Sequence, residues 1–139
     1  MKIGLIRHFR VNKPFLKGIV SQSETLIWLK EYEASSSLII TPTKVKGHWE
    51  ICYSSCLTRA VITAKKVYGN EITCQPAFNE PSGEKIFRKN IRLPFLLWAT
   101  LIRFAIVTNH KSQSNGKRIL TERIEAAIDM ILSGSHETF

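Results

Sequence analysis

The amino-acid sequence predicts an α/β protein, a three-layer sandwich in which a mostly parallel central sheet is flanked by helices. Two observations lead to this prediction. Short apolar segments of strand length alternate along the chain with longer segments of helical period, a pattern typical of strand–helix–strand units. The chain has 139 residues, of which 44% are hydrophobic and 22% charged. This size and composition fit one globular domain spanning residues 1–139.

The first elements are expected to be a strand, a loop and a capped helix. Residues 2–6 are mostly apolar and predict a strand, whereas residues 9–20 contain a proline and a glycine and predict a loop. Ser21 and Glu24 are three positions apart and form a capping-box pattern, which predicts the start of a helix. This helix should end in the serine run 35–37.

The middle of the chain predicts two strands connected by a helix, after a short strand at residues 38–41. Residues 50–53 form the first of the two strands, and Ser54 and Ser55 then occupy the place of a helix cap. An apolar stripe of helical period follows, made of Leu57, Ala60, Val61, Ala64, Val67 and Tyr68. Gly69 should end this helix in the left-handed conformation, and residues 72–78 predict the next strand.

Two helices complete the predicted fold, at Phe95–Val107 and at residues 117–132. The second has an apolar face, made of Leu120, Ile124, Ala127, Ile128 and Ile131. The longest apolar run, residues 93–107, is shorter than the about 20 apolar residues that cross a bilayer. We therefore expect a buried core helix there and no membrane partner, with a helix lying on a membrane surface as the alternative.

The charge composition narrows the classes of partner. The chain has 20 Lys and Arg residues against 11 Asp and Glu residues, a net charge of +9. Such a surface is either simply solvated or binds anions, which include phosphorylated small molecules and nucleic acid. Aromatic residues interleaved with basic ones on a strand are not evident, so we expect no nucleic-acid partner.

The cysteines predict a reducing environment. Cys52, Cys56 and Cys74 are an odd number of thiols in a chain without a signal peptide, which predicts free thiols and a cytoplasmic location. Cys52 and Cys56 are four residues apart, but no second pair of Cys or His at suitable spacing completes a zinc site. We therefore expect no metal and no other cofactor.

Four residues near the ends of predicted strands suggest phosphoryl chemistry. Arg7 and His8 follow the first strand, Arg59 lies in the first turn of the helix after the second, and Glu80 follows the third. Ligands of open α/β sheets bind at the carboxyl ends of the strands, and helix N-termini attract anions. A neutral imidazole can attack phosphorus, guanidinium groups can neutralise the phosphoryl oxygens, and a carboxyl can protonate the leaving oxygen.

The same segments resemble the histidine phosphatase superfamily, which includes the phosphoglycerate mutases. Residues 4–8 are similar to the family's opening strand and Arg-His-Gly motif, and residues 53–64 are similar to the strand-to-helix segment that bears its second phosphate-binding arginine. Residues 78–80 lie where the family has its acidic residue. The resemblance runs through most of the chain and implies a phosphoglycerate mutase-like fold.

The resemblance also implies a role for each candidate residue. His8 would be the nucleophile that forms a phosphohistidine, and Arg7 and Arg59 would bind the phosphoryl oxygens. Glu80 would protonate the departing oxygen. These roles agree with the chemistry, because charge builds on the phosphoryl oxygens in the transition state and fixed guanidinium groups stabilise it there.

Some positions depart from the family's pattern. Phe9 stands where the family has a glycine, so the loop over the phosphate should close differently. Arg10 and Asn12 could add phosphate contacts, although their places in the family pattern are not reproduced.

The largest departure concerns a second histidine. In the family, a further strand follows the helix that matches residues 117–132 and leads to a histidine and a glycine, and none of His48, His110 and His136 occupies that place. Loss of one donor to the phosphate should lower catalysis on the order of 10²–10³-fold. We interpret the chain as C-terminally incomplete, by truncation of a longer enzyme in preference to degeneration. An uncovered sheet edge could be paired by a neighbouring chain, which leaves a homo-oligomer open.

The sequence therefore predicts a phosphatase that acts on a small phosphorylated substrate through a phosphohistidine. A mutase is less favoured because the chain has little room for the family's longer substrate-binding insertions. Residues 84–92, with Lys85, Arg88, Lys89 and Arg92, are either a basic lid for the substrate or a solvated helix start. A non-catalytic phosphate-binding or regulatory module is the alternative function, and a nucleic-acid binder is the least supported.

Overall fold

The computed structural model describes residues 2–43, 45–69, 71–84, 86–108, 110–111 and 116–134, and it is a mixed α/β structure. The strands are β1 (Arg10–Val11), β2 (Ile19–Ser21), β3 (Leu38–Ile39), β4 (Tyr53–Ser54), β5 (Thr73–Cys74) and β6 (Arg92–Pro94). The helices are α1 (Gln22–Ala34), α2 (Thr58–Val67), α3 (Phe95–Val107) and α4 (Gly116–Gly134), and a 3₁₀ turn covers Pro76–Phe78. The predicted mixture of helices and strands is therefore confirmed.

The described strands pair two by two. β1 pairs with β3 and β2 pairs with β6, both antiparallel, whereas β4 and β5 are parallel. The connection between two parallel strands must cross the sheet, and here α2 makes that connection. The β4–α2–β5 unit is thus the strand–helix–strand arrangement that the sequence predicts around Arg59.

The chain divides into two compact units, each formed by segments distant in sequence. The first unit consists of Met1–Asn12, Ala34–Asn79 and Arg123–Phe139. The second unit consists of Lys13–Glu33 and Glu80–Glu122. The β4–α2–β5 unit belongs entirely to the first, and the β2–β6 pair and α3 belong to the second.

The hydrophobic core of the second unit forms around two tryptophans. Trp98 is fully buried on α3, and its indole N–H donates a hydrogen bond of 3.0 Å to the Val20 carbonyl. Trp28 on α1 packs edge-on against Phe95, with 4.7 Å between the ring centroids. Because a buried indole needs an acceptor for its N–H, the Val20 carbonyl fixes α3 against strand β2.

The predicted capping box of α1 is confirmed. The Ser21 N–H donates to the Glu24 carboxylate at 2.7 Å, and the Glu24 N–H donates to the Ser21 hydroxyl at 3.2 Å. Hydrogen bonding to the Glu24 carboxylate, first by the Ser21 backbone and then by the Ser21 side chain, lowers the pKa of Glu24 below its ordinary value. The helix ends at Ala34, just before the serine run that was expected to end it.

The predicted opening strand is wrong. Residues 2–6 are irregular, and Ile3, Leu5 and Ile6 are all exposed, with 93% of Leu5 accessible to solvent. The predicted loop over residues 9–20 instead contains β1 and part of β2. Two-residue and three-residue strands have no visible period, so their positions depend on pairing partners far away in the chain.

The elements around α2 also differ from the prediction in their limits. β4 begins at Tyr53, so it lies at the end of the predicted strand 50–53, and α2 begins at Thr58 with Leu57 as its N-cap. Ser55 is not the cap, because its hydroxyl accepts a hydrogen bond of 3.1 Å from the Leu57 N–H in a turn before the helix. The predicted strand 72–78 is divided between β5 and the 3₁₀ turn.

The C-terminal end of α2 follows the prediction. The helix ends at Val67, and Gly69 has φ +77°, the left-handed conformation that only glycine adopts at little cost.

The limits of α3 and α4 are close to the prediction, but their burial is not. α3 buries one face, made of Phe95, Trp98, Ile102, Ala105 and Ile106. Ala99 and Leu101 are partly buried, whereas its remaining apolar residues, Leu96, Leu97, Phe104 and Val107, are exposed, so only one side of the expected core helix is in the core. On α4, Ala127 is buried, whereas Ile124 and Ile128 are about half exposed. Among the described residues, no helix combines the length and apolar character needed to cross a membrane.

Candidate functional site

Arg59 is the most deeply buried charged residue of the candidate site. It is the second residue of α2 and is only 1% exposed. A helix N-terminus carries a partial positive charge, which favours anions and disfavours a guanidinium group. A buried arginine at this position is therefore well suited to a site where an anion binds both the guanidinium group and the helix start.

Thr63 connects Arg59 to the segment that contains His8. The Thr63 hydroxyl donates a hydrogen bond of 2.8 Å to the Arg59 carbonyl, one helical turn earlier. The same hydroxyl accepts a hydrogen bond of 3.0 Å from the backbone N–H of Phe9. Thr63 is buried, at 3% exposure. One hydroxyl thus holds the backbone next to His8 against the first two turns of α2.

The His8 ring is half-buried and oriented by the backbone of the next residue, Phe9. Its Nδ1 atom lies 2.6 Å from the Phe9 carbonyl oxygen. A carbonyl oxygen can only accept a hydrogen bond, so Nδ1 carries the proton of this contact. In the neutral ring the lone pair is then on Nε2, which is the form a nucleophilic imidazole requires.

The other basic and polar candidates near His8 are exposed. Arg7 is exposed in the irregular segment that precedes β1. Arg10 is exposed on β1, opposite Ile39 of β3. Asn12 donates its backbone N–H to the Ser37 carbonyl at 2.8 Å, a contact that fixes the end of β1. The contributions of these three side chains to phosphate binding stay predictions.

Asn79 connects the end of the β5 segment to the loop before α2, a role that the sequence analysis missed. Its side-chain oxygen accepts a hydrogen bond of 2.8 Å from the Cys56 N–H. Its backbone oxygen lies 3.4 Å from an Arg123 guanidinium nitrogen that donates to it. Asparagine is common in turns because its side chain replaces backbone partners, and that was the available signal.

Glu80 follows Asn79 directly and is exposed, but it belongs to the second unit. Its role as proton donor therefore stays a prediction. His48 and His110 are both exposed. His136 and Lys85, which the sequence analysis also considered, lie outside the described residues.

The three cysteines are free thiols, as predicted. Burial raises the pKa of the Cys52 thiol, and the nearby Cys74 raises it further. Cys52 is thus kept in the protonated form, which is a poor nucleophile and a poor metal ligand. In the part of the chain that the structure describes, no group of three or more His, Cys, Asp or Glu side chains could hold a metal ion.

The basic segment 84–92 is not the start of a helix. Its last residue, Arg92, begins β6, and the described residues before it are irregular. The fully buried Gln22 side chain anchors the segment: its oxygen accepts hydrogen bonds from the Ile86 and Phe87 N–H groups at 2.7 and 3.0 Å, and its nitrogen donates to the Phe87 carbonyl at 3.0 Å. Arg88 and Lys89 are exposed on this anchored loop.

The structure thus brings the His8 segment and Arg59 together through Thr63, leaves Arg7 exposed, and assigns Glu80 to the other unit. This arrangement provides one oriented imidazole and one buried guanidinium group on connected elements of the first unit. Comparison of the chain with protein-family models, with curated proteins and with solved structures finds no match.

Proposed function

We propose that this chain is a phosphomonoester hydrolase that acts through a phosphohistidine on His8. The observation that carries the proposal is the Thr63 hydroxyl, which contacts both the backbone beside His8 and the helix turn of Arg59. A nucleophile and an anion-binding group on different parts of the chain must be held in a fixed relation to act on one phosphoryl group. Thr63 supplies such a connection.

The proposed reaction has two steps. His8 Nε2 attacks the phosphorus atom, a P–N bond forms, and the ester P–O bond breaks as the alcohol leaves. Water then attacks the phosphohistidine, which releases inorganic phosphate and the free imidazole. Arg59 and the N–H groups at the start of α2 stabilise the charge on the phosphoryl oxygens in both steps. The resemblance assigns protonation of the leaving oxygen to Glu80 and a second guanidinium contact to Arg7.

The proposed fold is a three-layer, phosphoglycerate mutase-like sandwich, and the parallel β4–α2–β5 unit supports it. The proposed substrate is a small phosphorylated molecule, because the basic composition favours anions and the candidate groups suit a phosphoryl group. A phosphatase is proposed in preference to a mutase, in a cytoplasmic location that agrees with the three free thiols.

Hydrolysis of p-nitrophenyl phosphate tests the proposal. The unmodified chain should release nitrophenol, and His8→Ala should abolish the release. His48→Ala is the matched control, because His48 is an exposed histidine of the same unit and should leave turnover unchanged. An acid-labile phosphoenzyme should form in the unmodified chain and be absent from His8→Ala. Turnover that persists in His8→Ala would contradict the proposal.

A phosphate-binding module without turnover is the second candidate, and the exposure of Arg7 favours it. Only one of the two expected guanidinium groups is buried, and a site of this kind would hold phosphate through Arg59 more firmly than it stabilises a transition state. Calorimetric titration with inorganic phosphate separates the candidates. A phosphate-binding module should bind phosphate without hydrolysing p-nitrophenyl phosphate. Its phosphate binding should be weakened by Arg59→Lys, because lysine cannot donate two parallel hydrogen bonds as a guanidinium group does, and it should be unchanged by Arg118→Lys.

A further inference from the structure

Positive charge is concentrated in one continuous part of the sequence. Residues 85–121 contain eight of the twenty Lys and Arg residues and none of the eleven Asp and Glu residues. These residues therefore account for eight of the nine net positive charges. The whole stretch belongs to the second unit, whereas His8 and Arg59 belong to the first.

The same stretch exposes a continuous apolar helix face. One side of α3, which we call the α3 outer face, consists of Leu96, Leu97, Thr100, Arg103, Phe104 and Val107. Leu96 and Phe104 are each 67% exposed and Val107 is 63% exposed. These positions recur at helical spacing along about 20 Å of helix, and Arg103 is the one charged residue among them. A shallow apolar depression also lies here, lined in part by Leu101 and Phe104.

An anchored basic loop precedes β6 and α3 in the chain and contacts the buried face of α3. Residues 86–91 precede β6 and α3, and Phe87 contacts the Trp98 ring of α3 with 5.9 Å between the centroids. The loop exposes Arg88 and Lys89 between the partly exposed apolar residues Phe87 and Ile91. The buried Gln22 side chain holds the backbone of this loop through three hydrogen bonds. The basic and apolar side chains of the loop therefore extend from a fixed backbone.

We propose that the α3 outer face and this loop dock on the surface of an anionic lipid bilayer. Large apolar side chains beside lysine and arginine are the combination that binds such a surface, because the apolar groups enter the headgroup boundary and the basic groups contact anionic headgroups. The helix lies on the bilayer and does not cross it. This is the alternative that the sequence left open for the 93–107 run.

Two other partners, a second copy of the chain and nucleic acid, fit the charged and apolar groups of this surface less well. A symmetric pair of α3 outer faces would place the same basic stretch of two chains side by side, where like charges repel. Nucleic acid would neutralise the basic groups, but its phosphate backbone would leave Leu96, Leu97 and Val107 without an apolar partner. An anionic bilayer supplies partners for both the apolar and the basic groups.

Co-flotation of the full chain with vesicles tests the proposal. Binding should be strong on phosphatidylcholine vesicles that contain about one-quarter phosphatidylserine, and weak on pure phosphatidylcholine. The double variant Leu96→Ser/Phe104→Ser should weaken this binding about tenfold or more, because the apolar contribution is lost. Ile3→Ser/Leu5→Ser is the matched control: it removes two exposed apolar side chains from the first unit and should bind as the unmodified chain does.

The charge contribution has its own matched pair. Arg88→Gln/Lys89→Gln should weaken binding about tenfold or more, whereas Lys65→Gln/Lys66→Gln, which removes the same charge from the exposed end of α2, should have a much smaller effect. Circular dichroism establishes that each variant is folded. Equal binding to both vesicle types, or normal binding by Leu96→Ser/Phe104→Ser, overturns the proposal. Two further results would also overturn it. One is a dimer, observed by sedimentation equilibrium, that Leu96→Ser/Phe104→Ser abolishes. The other is an oligonucleotide complex that Leu96→Ser/Phe104→Ser leaves intact, together with no binding of the chain to vesicles.

Discussion

The backbone N–H of Phe9 donates a hydrogen bond to the hydroxyl of Thr63, which lies 54 positions further along the chain. Because the same hydroxyl donates to the Arg59 carbonyl, its hydrogen is committed to the helix and its lone pair to Phe9. No other common side chain of this size can both donate and accept in this way except serine. Thr63 is thus a structural junction in the first unit, and it makes the proposed site testable without changing His8 or Arg59.

Thr63→Val should destabilise the chain and lower its phosphatase activity. Valine has the shape of threonine but no hydroxyl, so the Phe9 N–H loses its acceptor in a partly buried place. The expected loss is about 1–3 kcal/mol of unfolding free energy. Urea denaturation should show a lower midpoint at an unchanged slope, and kcat/KM for p-nitrophenyl phosphate should fall.

Thr63→Ser provides the control for that change, because serine keeps the hydroxyl and loses only a methyl group. It should retain most of the activity and of the stability. If Thr63→Val and Thr63→Ser have the same kcat/KM, the hydrogen bond to Phe9 does not position His8.

Gln22→Leu should loosen the basic loop in the second unit. Leucine fills the volume of the buried side chain but removes all three of its hydrogen bonds to Ile86 and Phe87. We expect a loss of about 2 kcal/mol, because partly buried backbone groups lose their partners. Trypsin should also cleave faster after Arg88 and Lys89. Asn90→Ala, on the same loop but exposed, is the control and should change neither measurement noticeably.

Acidification should remove a stabilising contribution from the capping box of α1. The folded-state pKa of Glu24 lies below its ordinary value, about 4.5, so its carboxylate stabilises the fold at pH values above that. The contribution is lost as the pH falls through the lowered pKa of the folded state. In urea denaturation, the stability advantage over Glu24→Gln should therefore shrink between about pH 6 and pH 3. An advantage that grows on acidification would contradict the assignment, and Glu71→Gln, an exposed glutamate of the other unit, is the control.

Helices were predictable from this sequence, whereas strands β1, β2 and β6 were not. The capping box of α1, the limits of α3 and the left-handed Gly69 all depend on residues close in sequence, so local patterns were sufficient. Strands β1, β2 and β6 have two or three residues each and exist through partners that are 27 to 75 positions away by their registers, Arg10↔Ile39 and Ile19↔Pro94 among them. The apolar run 2–6 shows the converse, because its composition favours a strand that the structure does not form.

The site could be predicted only in part, for a related reason. The position of Arg59 in the first turn of α2 followed from the local pattern, whereas its burial did not. Threonine hydroxyls inside helices often donate to the carbonyl four residues earlier, as Thr63 does to Arg59. Two other contacts join segments that are distant in sequence: the Thr63 hydroxyl with the Phe9 N–H, and the Asn79 side chain with the Cys56 N–H. Local sequence patterns do not indicate such contacts.

Helix α2 has its polar side inward: Arg59 and Thr63 are its buried residues, while its apolar stripe is only partly covered. Substitutions that accumulate over evolutionary time should therefore spare the two polar positions and vary the aliphatic ones, the reverse of the pattern that conservation has in an ordinary amphipathic helix. A ranking of positions by hydrophobicity would mistake the most constrained residues of this segment for its most replaceable ones.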